Sequence, residues 1–185
     1  MCKVKEFPMS KISAAGLAGA VLLAAAPVLA EQHMSDEPTP VATATVAGAD
    51  RAELGTVSVA STPSGTAVVT LELSGVPEGS HGIHLHETGD CSASDFTSAG
   101  GHIAADAQHG VLVEGGPHPG DLPNVTVGAD GNLTLELFNP LLEVEAMLMD
   151  GDGAAFIIHD GPDDYASQSA GDAGSRVACG VFQPA

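Results

Sequence analysis

The sequence predicts an all-β domain of the sandwich or Greek-key barrel type, and three observations carry that prediction. Short β-prone runs recur along most of the chain, turn residues punctuate them at close intervals, and helix signals are weak throughout. With 23 glycines and 12 prolines in 185 residues, the composition favours many turns over long helices, and the length suits one domain rather than two.

The first 30 residues have the layout of a secretory signal. Lys3, Lys5 and Lys11 precede a small, apolar run over 12–26, and Val28, Leu29 and Ala30 offer a small-x-small cleavage site. The run is short for a membrane span, rich in alanine and followed by acidic, polar sequence, so a cleaved signal rather than an anchor is expected. Residues 31–40 are polar and proline-bearing and read as a flexible lead-in, leaving 41–185 as the folded domain. Removal of the signal leaves Cys91 and Cys179 in an oxidising compartment. They are expected to pair, and to stabilise the fold by about 4 kcal/mol on the chain-entropy account.

Strands are expected, in order, at 41–47, 55–60, 67–73, 82–86, 132–138, 154–159 and 176–182. The third is the clearest: Val69, Leu71 and Leu73 alternate with Thr70, Glu72 and Ser74, the period of a strand with one buried face. Turn chemistry separates the runs, with Thr62 to Gly65 between the second and third, Gly75 to Gly79 after the third, Asp130-Gly131 before the fifth and Gly151 to Gly153 before the sixth. Two stretches break this economy. Residues 88–123 and 160–175 are long, rich in Gly, Asp and Ser, and without period, and loops of that length in a compact domain are functional or mobile.

The formal charge of -19 becomes -21 once Lys3, Lys5, Lys11 and Glu6 leave with the signal, because only Arg51 and Arg176 then stand against 23 acidic side chains. Nucleic acid and anionic membrane are therefore excluded as partners of the mature chain, whose acidity reads as a solvated surface.

The histidines carry the chemistry. His84 and His86 lie two apart in an apolar-flanked strand, so their rings share a face, where a metal would satisfy both. The first long loop adds His102, His109, His118 and Asp121, with glycines that let the backbone curl so that ligands converge, and His159 ends a hydrophobic strand far along the chain. Six histidines and an aspartate exceed what one tetrahedral ion needs. They imply two metals, or one metal whose ligands are held by the remaining side chains. An all-histidine site suits copper and a three-histidine, one-aspartate site suits zinc, but the residues alone do not divide the ligands. His81 has the opposite strand parity from His84 and is not expected to bind the metal.

The stretches GIHLHETGDC (82–91), SAGGH (98–102), GPHPGDLPN (116–124) and GSRVACGV (174–181) together resemble the signatures of the copper/zinc superoxide dismutases, in their bacterial periplasmic branch, and the likeness extends over 41–182. The resemblance implies an eight-stranded Greek-key β-barrel, flattened like a sandwich, with long metal-binding and channel-covering loops. It implies copper held by His84, His86, His102 and His159, and zinc held by His102, His109, His118 and Asp121, with His102 bridging the two. It matches Cys91 and Cys179 to the family disulfide, Arg176 to the arginine at the mouth of the copper channel, and Asp163 to a carboxylate linking His84 to His109; the adjacent Asp164 is expected to be loop scaffolding. The implied reaction is dismutation of superoxide by a Cu(II)/Cu(I) cycle in the periplasm, with His102 passing protons and zinc structural. Monomeric and homodimeric forms both occur in that branch. No lysine follows Lys11, so the lysine guidance found in many family members is absent. The alternative, a non-catalytic copper-binding or copper-delivery module on the same scaffold, predicts a missing bridging histidine or channel arginine, and both are present.

Overall fold

A computed structural model of the chain describes residues 38–185. The expected signal at 1–30, most of the expected lead-in and His33 lie outside the described residues; residues 38–40 are exposed and irregular.

Each expected strand is present, with no end moved by more than two residues. These are β1 (Ala42–Gly48), β2 (Glu53–Ser61), β3 (Ala67–Leu73), β5 (Ile83–His86), β7 (Leu133–Asn139), β8 (Ala155–His159) and β9 (Arg176–Pro184). Two three-residue strands, β4 (Gly79–His81) and β6 (Val125–Val127), were not legible, because three residues are too few to show a period. Counting β4 and β5 as one strand interrupted at Gly82 gives the eight of a Greek-key barrel. A sheet of order β5-β8-β9-β1-β2-β3-β7 curls round, and β4 pairs with β6 in a second, two-stranded sheet; every pairing is antiparallel. The Greek-key step is visible in β3, which pairs with β7 rather than with the β4 that follows it.

Alternation fills the barrel. Ala42, Ala44 and Val46 from β1, Val57 and Val59 from β2, and Val69, Leu71 and Leu73 from β3 are buried in one cluster, while Glu72 is exposed and Thr70 half-buried. A five-residue helix, α1 (Val144–Leu148), places Val144 and Leu148 in the same cluster and is too short to leave a helical period in the sequence.

β8 departs from alternation because it is buried on both faces. Phe156 and Ile158 enter the barrel core, whereas Ala155 and Ile157 pack with Phe96, Ala99 and Cys179 under the segment that follows β5. Cys91 and Cys179 form the expected disulfide, spanning 88 residues. It pins that segment to β9, so the loop carrying most of the histidines starts from a fixed point. Truncating Phe156 to alanine should lower the free energy of unfolding by about 3–5 kcal/mol, read as a lower urea midpoint at unchanged slope.

Candidate metal centre

Strand geometry sets the first pair of ligands. On β5, Ile83 and Leu85 point into the barrel, so His84 and His86 point the other way, beneath the two long loops, and both are buried. The first loop returns against this strand twice, forming isolated bridges between His86 and His102 and between His84 and Asp121. Gly120 permits the second return: Leu85 N–H donates to the Gly120 carbonyl at 2.8 Å, and a Cβ at Gly120 would collide with the Leu85 carbonyl. On the neighbouring strand, the N–H of His159 donates to the Gly82 carbonyl at 2.9 Å, which sets the ring of His159 beside those of β5. Opposite His159 in the β8–β9 ladder stands Arg176.

Ligand atoms of His84, His86, His102 and His159 lie within 4.8 Å of one another. Four ring nitrogens there, Nδ1 of His84 and Nε2 of His86, His102 and His159, are buried and have no hydrogen-bond partner. Their opposite nitrogens are all tied. Nε2 of His84 donates to Asp163 at 2.7 Å, Nδ1 of His86 to the Gly100 carbonyl at 3.0 Å and Nδ1 of His159 to the Gly174 carbonyl at 3.1 Å, while Nδ1 of His102 lies 2.9 Å from Asp121 Oδ1. An acceptor on the outer nitrogen draws the proton there and leaves the inner nitrogen with a lone pair. Burial disfavours the charged form of three of these rings, lowering the pKa of His84 to about 4, that of His86 to about 2, and that of His159 below its ordinary value. Four buried imidazole nitrogens converging without a hydrogen-bond partner fit a metal that accepts nitrogen ligands, and the all-histidine set suits copper.

A second convergence adjoins the first. Nδ1 of His102, His109 and His118 lie 2.9, 3.0 and 3.2 Å from Asp121 Oδ1. Those spacings approach the roughly 3.3 Å between neighbouring ligands of a tetrahedral zinc with bonds of about 2.0 Å. Burial alone would raise the carboxyl pKa of Asp121, but His102 and the backbone N–H groups of Gly110 and His118 outweigh it and hold the group well below the usual carboxylate range. His84 also lies within 4.8 Å of His102, His109 and Asp121. Its Nε2 is bonded to Asp163 and its free Nδ1 belongs to the other convergence, so that proximity reflects its stacking on His102, with centroids 3.9 Å apart. His102 alone faces both groups, one nitrogen to each. The residues therefore fit two metals.

Asp163 joins the groups, accepting from His84 Nε2 on Oδ2 and from His109 Nε2 on Oδ1 at 3.0 Å. Burial works against its charge, yet the bonds from His84, Tyr165 N–H and His109 lower its pKa to about 2. The glycine at 171 (φ 65°) leaves it room, since a Cβ there would overlap the Asp163 carboxylate and the His109 ring. Arg176 is half-buried and donates to the carbonyls of Phe96 at 2.6 Å and Gly100 at 2.7 Å. Gly100 thus accepts from both Arg176 and His86. Asp164 caps its own loop, accepting from Ala166 and Ser167 N–H.

Three residues support the site: His81, which was expected not to bind the metal, and Asn124 and Gln168, to which no role was assigned from sequence. His81 is buried, with its ring nitrogens 2.7 Å from the His159 carbonyl and 2.9 Å from that of Pro77, so it holds the backbone of a ligand rather than a metal. Asn124 clasps Asp163, donating to its carbonyl and accepting from its N–H. Gln168 bonds both backbone groups of His109, at 2.9 Å each. Asn124 stood within a quoted motif, but nothing local marked Gln168 in an aperiodic loop.

The sequence profile of the family described as copper/zinc superoxide dismutase matches residues 53–182. The chain is 42% identical over 149 residues to a Cu-Zn superoxide dismutase of Caulobacter vibrioides, covering 77% of this chain and 85% of that one, and 38% identical over 138 residues to one from Aquifex aeolicus, covering 71% and 80%. Among solved structures it is similar to a SOD-like protein from Bacillus subtilis (TM-score 0.70, 32% identity, 75% of this chain and 96% of that one). It is also similar to the Cu/Zn superoxide dismutase of Brucella abortus (TM-score 0.63, 28% identity, 76% and 98%).

The lowered histidine pKa values fix the acid response of the metal-free protein. Between about pH 6.5 and 4 the unfolded chain binds a proton at His84 that the folded chain refuses, so stability falls as pH drops through that window and is unaffected above it. His84 alone should contribute a loss of about 3 kcal/mol, and Asp163, lowered to about 2, adds a loss of the same sign below the ordinary carboxylate pKa. Urea midpoints of protein freed of metal by chelation, measured from pH 8 to pH 4, should be flat to about pH 7 and then decline.

Proposed function

The chain belongs to the copper/zinc superoxide dismutase family, and from that membership we infer an enzyme that converts two superoxide anions and two protons into dioxygen and hydrogen peroxide. The observation that carries the inference to this site is the set of four buried, unpartnered imidazole nitrogens. We assign copper to His84, His86, His102 and His159, and zinc to His102, His109, His118 and Asp121. Copper supplies the one-electron chemistry, alternating between Cu(II) and Cu(I), while zinc keeps one oxidation state and fixes the loop that bears its ligands.

The protein's own groups supply the rest. His102 is set between the groups, so its Nε2 is the atom able to take up a proton and return it, while Nδ1 keeps the ring in place. Asp163 orients His84 and His109 together and holds each ring in one tautomer. Arg176 offers a desolvated guanidinium beside His86 to an incoming anion. That cation favours an enzyme over a protein that merely carries copper, which would need the four nitrogens but no anion-binding group beside them.

We further assign residues 1–30 to a cleaved secretory signal and the mature chain to the periplasm, a reading supported by the disulfide, which persists in oxidising compartments. The acid excess supports excluding nucleic acid and anionic membrane as partners, and among the described residues no helix is long and apolar enough to cross a membrane. Val111 and Leu112, 63% and 73% exposed, offer a patch by which a homodimer could form, and sedimentation at micromolar concentration would detect it.

Protein loaded with copper and zinc should remove superoxide rapidly in pulse radiolysis, and protein carrying zinc alone should not. Absence of decay with one equivalent of copper bound would sink the reading in favour of a copper-binding module. Among the described residues Arg51 and Arg176 are the only strong cations, so raising ionic strength from about 10 to 150 mM should leave the rate constant flat or increase it as repulsion by the acidic surface is screened. Asp121→Ala should lose zinc before it loses copper, measured as metal content after graded chelation.

A further inference from the structure

The turn between β1 and β2 is closed by Arg51 N–H donating to the Gly48 carbonyl and Gly48 N–H donating to that of Ala52, each at 2.9 Å. This leaves Arg51 left-handed, at φ 66°, a conformation that hairpin turns ordinarily reserve for glycine or asparagine. A side chain kept where the backbone disfavours it points to a use for that side chain.

The guanidinium of Arg51 reaches another loop. Nη1 donates to the Cys91 carbonyl at 2.8 Å, Nη2 donates to those of Ser92 and Ala93 at 3.1 and 3.4 Å, and the group lies over the Phe96 ring, 5.4 Å from its centroid. Phe96 is fully buried and its carbonyl accepts from Arg176. Both arginines of the described residues thus grip one segment, 91–100. Within 91–96, the hydrogen bonds that come from outside the loop are those of Arg51 and Arg176 alone among the described residues. The disulfide fixes Cys91, and Arg51 fixes the next stretch of backbone, from which Phe96 presents its carbonyl.

We propose that Arg51 is a positioning residue for Arg176: by clamping 91–96 from the far side, it sets the Phe96 carbonyl that aims the Arg176 guanidinium at the anion site. The proposal rests on Arg176 being the anion-binding arginine, as argued above. Loss of the clamp should let Arg176 swing while the barrel and both metal groups stay formed.

The test uses azide as an anion probe on protein loaded with copper and zinc, followed by the azide-to-copper charge-transfer absorption. Arg51→Asn keeps a residue suited to the left-handed turn but removes the fork, and should weaken azide binding about twofold to thirtyfold, the size of effect expected of a residue that modulates coupling without touching the ligand. Arg51→Lys keeps the charge without the fork and should behave like Arg51→Asn. In an Arg176→Gln background, Arg51→Asn should weaken azide no further, because its effect runs through Arg176. In metal-free protein, amide exchange at Phe96 and Ala99 should quicken in Arg51→Asn. Full restoration by lysine would overturn the proposal in favour of a long-range charge effect. Unchanged azide affinity in Arg51→Asn, or an equal loss in the Arg176→Gln background, would overturn it outright, and a lowered urea midpoint with unchanged azide affinity would leave Arg51 a purely structural clamp. Azide affinity indifferent to Arg176→Gln itself would remove the anion role of Arg176, and the proposal with it; wild-type protein that binds azide yet fails to dismute would instead count against the enzyme reading.

Discussion

Four imidazole nitrogens buried side by side without a partner are the constraint on which the rest of the structure depends. Left unpaired, each such atom would cost about 1–3 kcal/mol, so a metal that takes up all four lone pairs would offset a sum that approaches the stability of an ordinary domain. Holding four rings in that register before any metal arrives requires a fold secured elsewhere. Here the burden falls on the barrel: Ile83, Leu85, Phe156 and Ile158 fill the core from the same two strands whose histidines face the other way. One strand face supplies stability and the opposite face gives it up, and strand alternation lets both happen within four residues.

The same constraint explains why the outer nitrogens are so fully bonded. A ring free to turn would bury its lone pair against carbon or swap tautomer, so Asp163, Gly100 and Gly174 each hold a proton in place on the outer nitrogen of His84, His86 and His159. Asp163 does this for His84 and His109 at once, so a continuous pair of bonds links one ligand of the first convergence to one of the second. His102 also stacks on His84. A displacement at either metal group therefore has a bonded route to the other that does not pass through the shared histidine.

Much of this was legible in the sequence where it obeyed a local rule. The alternation of β3, the two-residue spacing of His84 and His86, and the glycine-rich turns are local, and each seven-strand expectation was met. Function of the long loops was signalled by their length, and the resemblance of four motifs, rather than any spacing, divided the ligands between copper and zinc. What stayed hidden is non-local. His81 bonds a carbonyl 78 residues away, Gln168 bonds a backbone 59 residues away, and Arg51 reaches 40 residues along the chain. β4, β6 and α1 were missed for the opposite reason, being too short for any period to emerge.

An acidic protein that takes an anionic substrate raises a conflict that distance resolves. At physiological salt the screening length is about 8 Å, so carboxylates spread over the surface contribute little at the mouth of the site, whereas a cation within bonding range of the ligand-bearing segment contributes nearly its full charge. Arg176 is also half-buried, and the low-dielectric walls that lower its pKa strengthen its attraction for an anion by the same physics. Asp95 lies near enough to pull in the other direction and sits on the segment that Arg51 and Arg176 grip. The local field at the site thus depends on how that one segment is held, which makes its fastening, by a disulfide at Cys91 and an arginine beyond it, a determinant of chemistry rather than of shape alone.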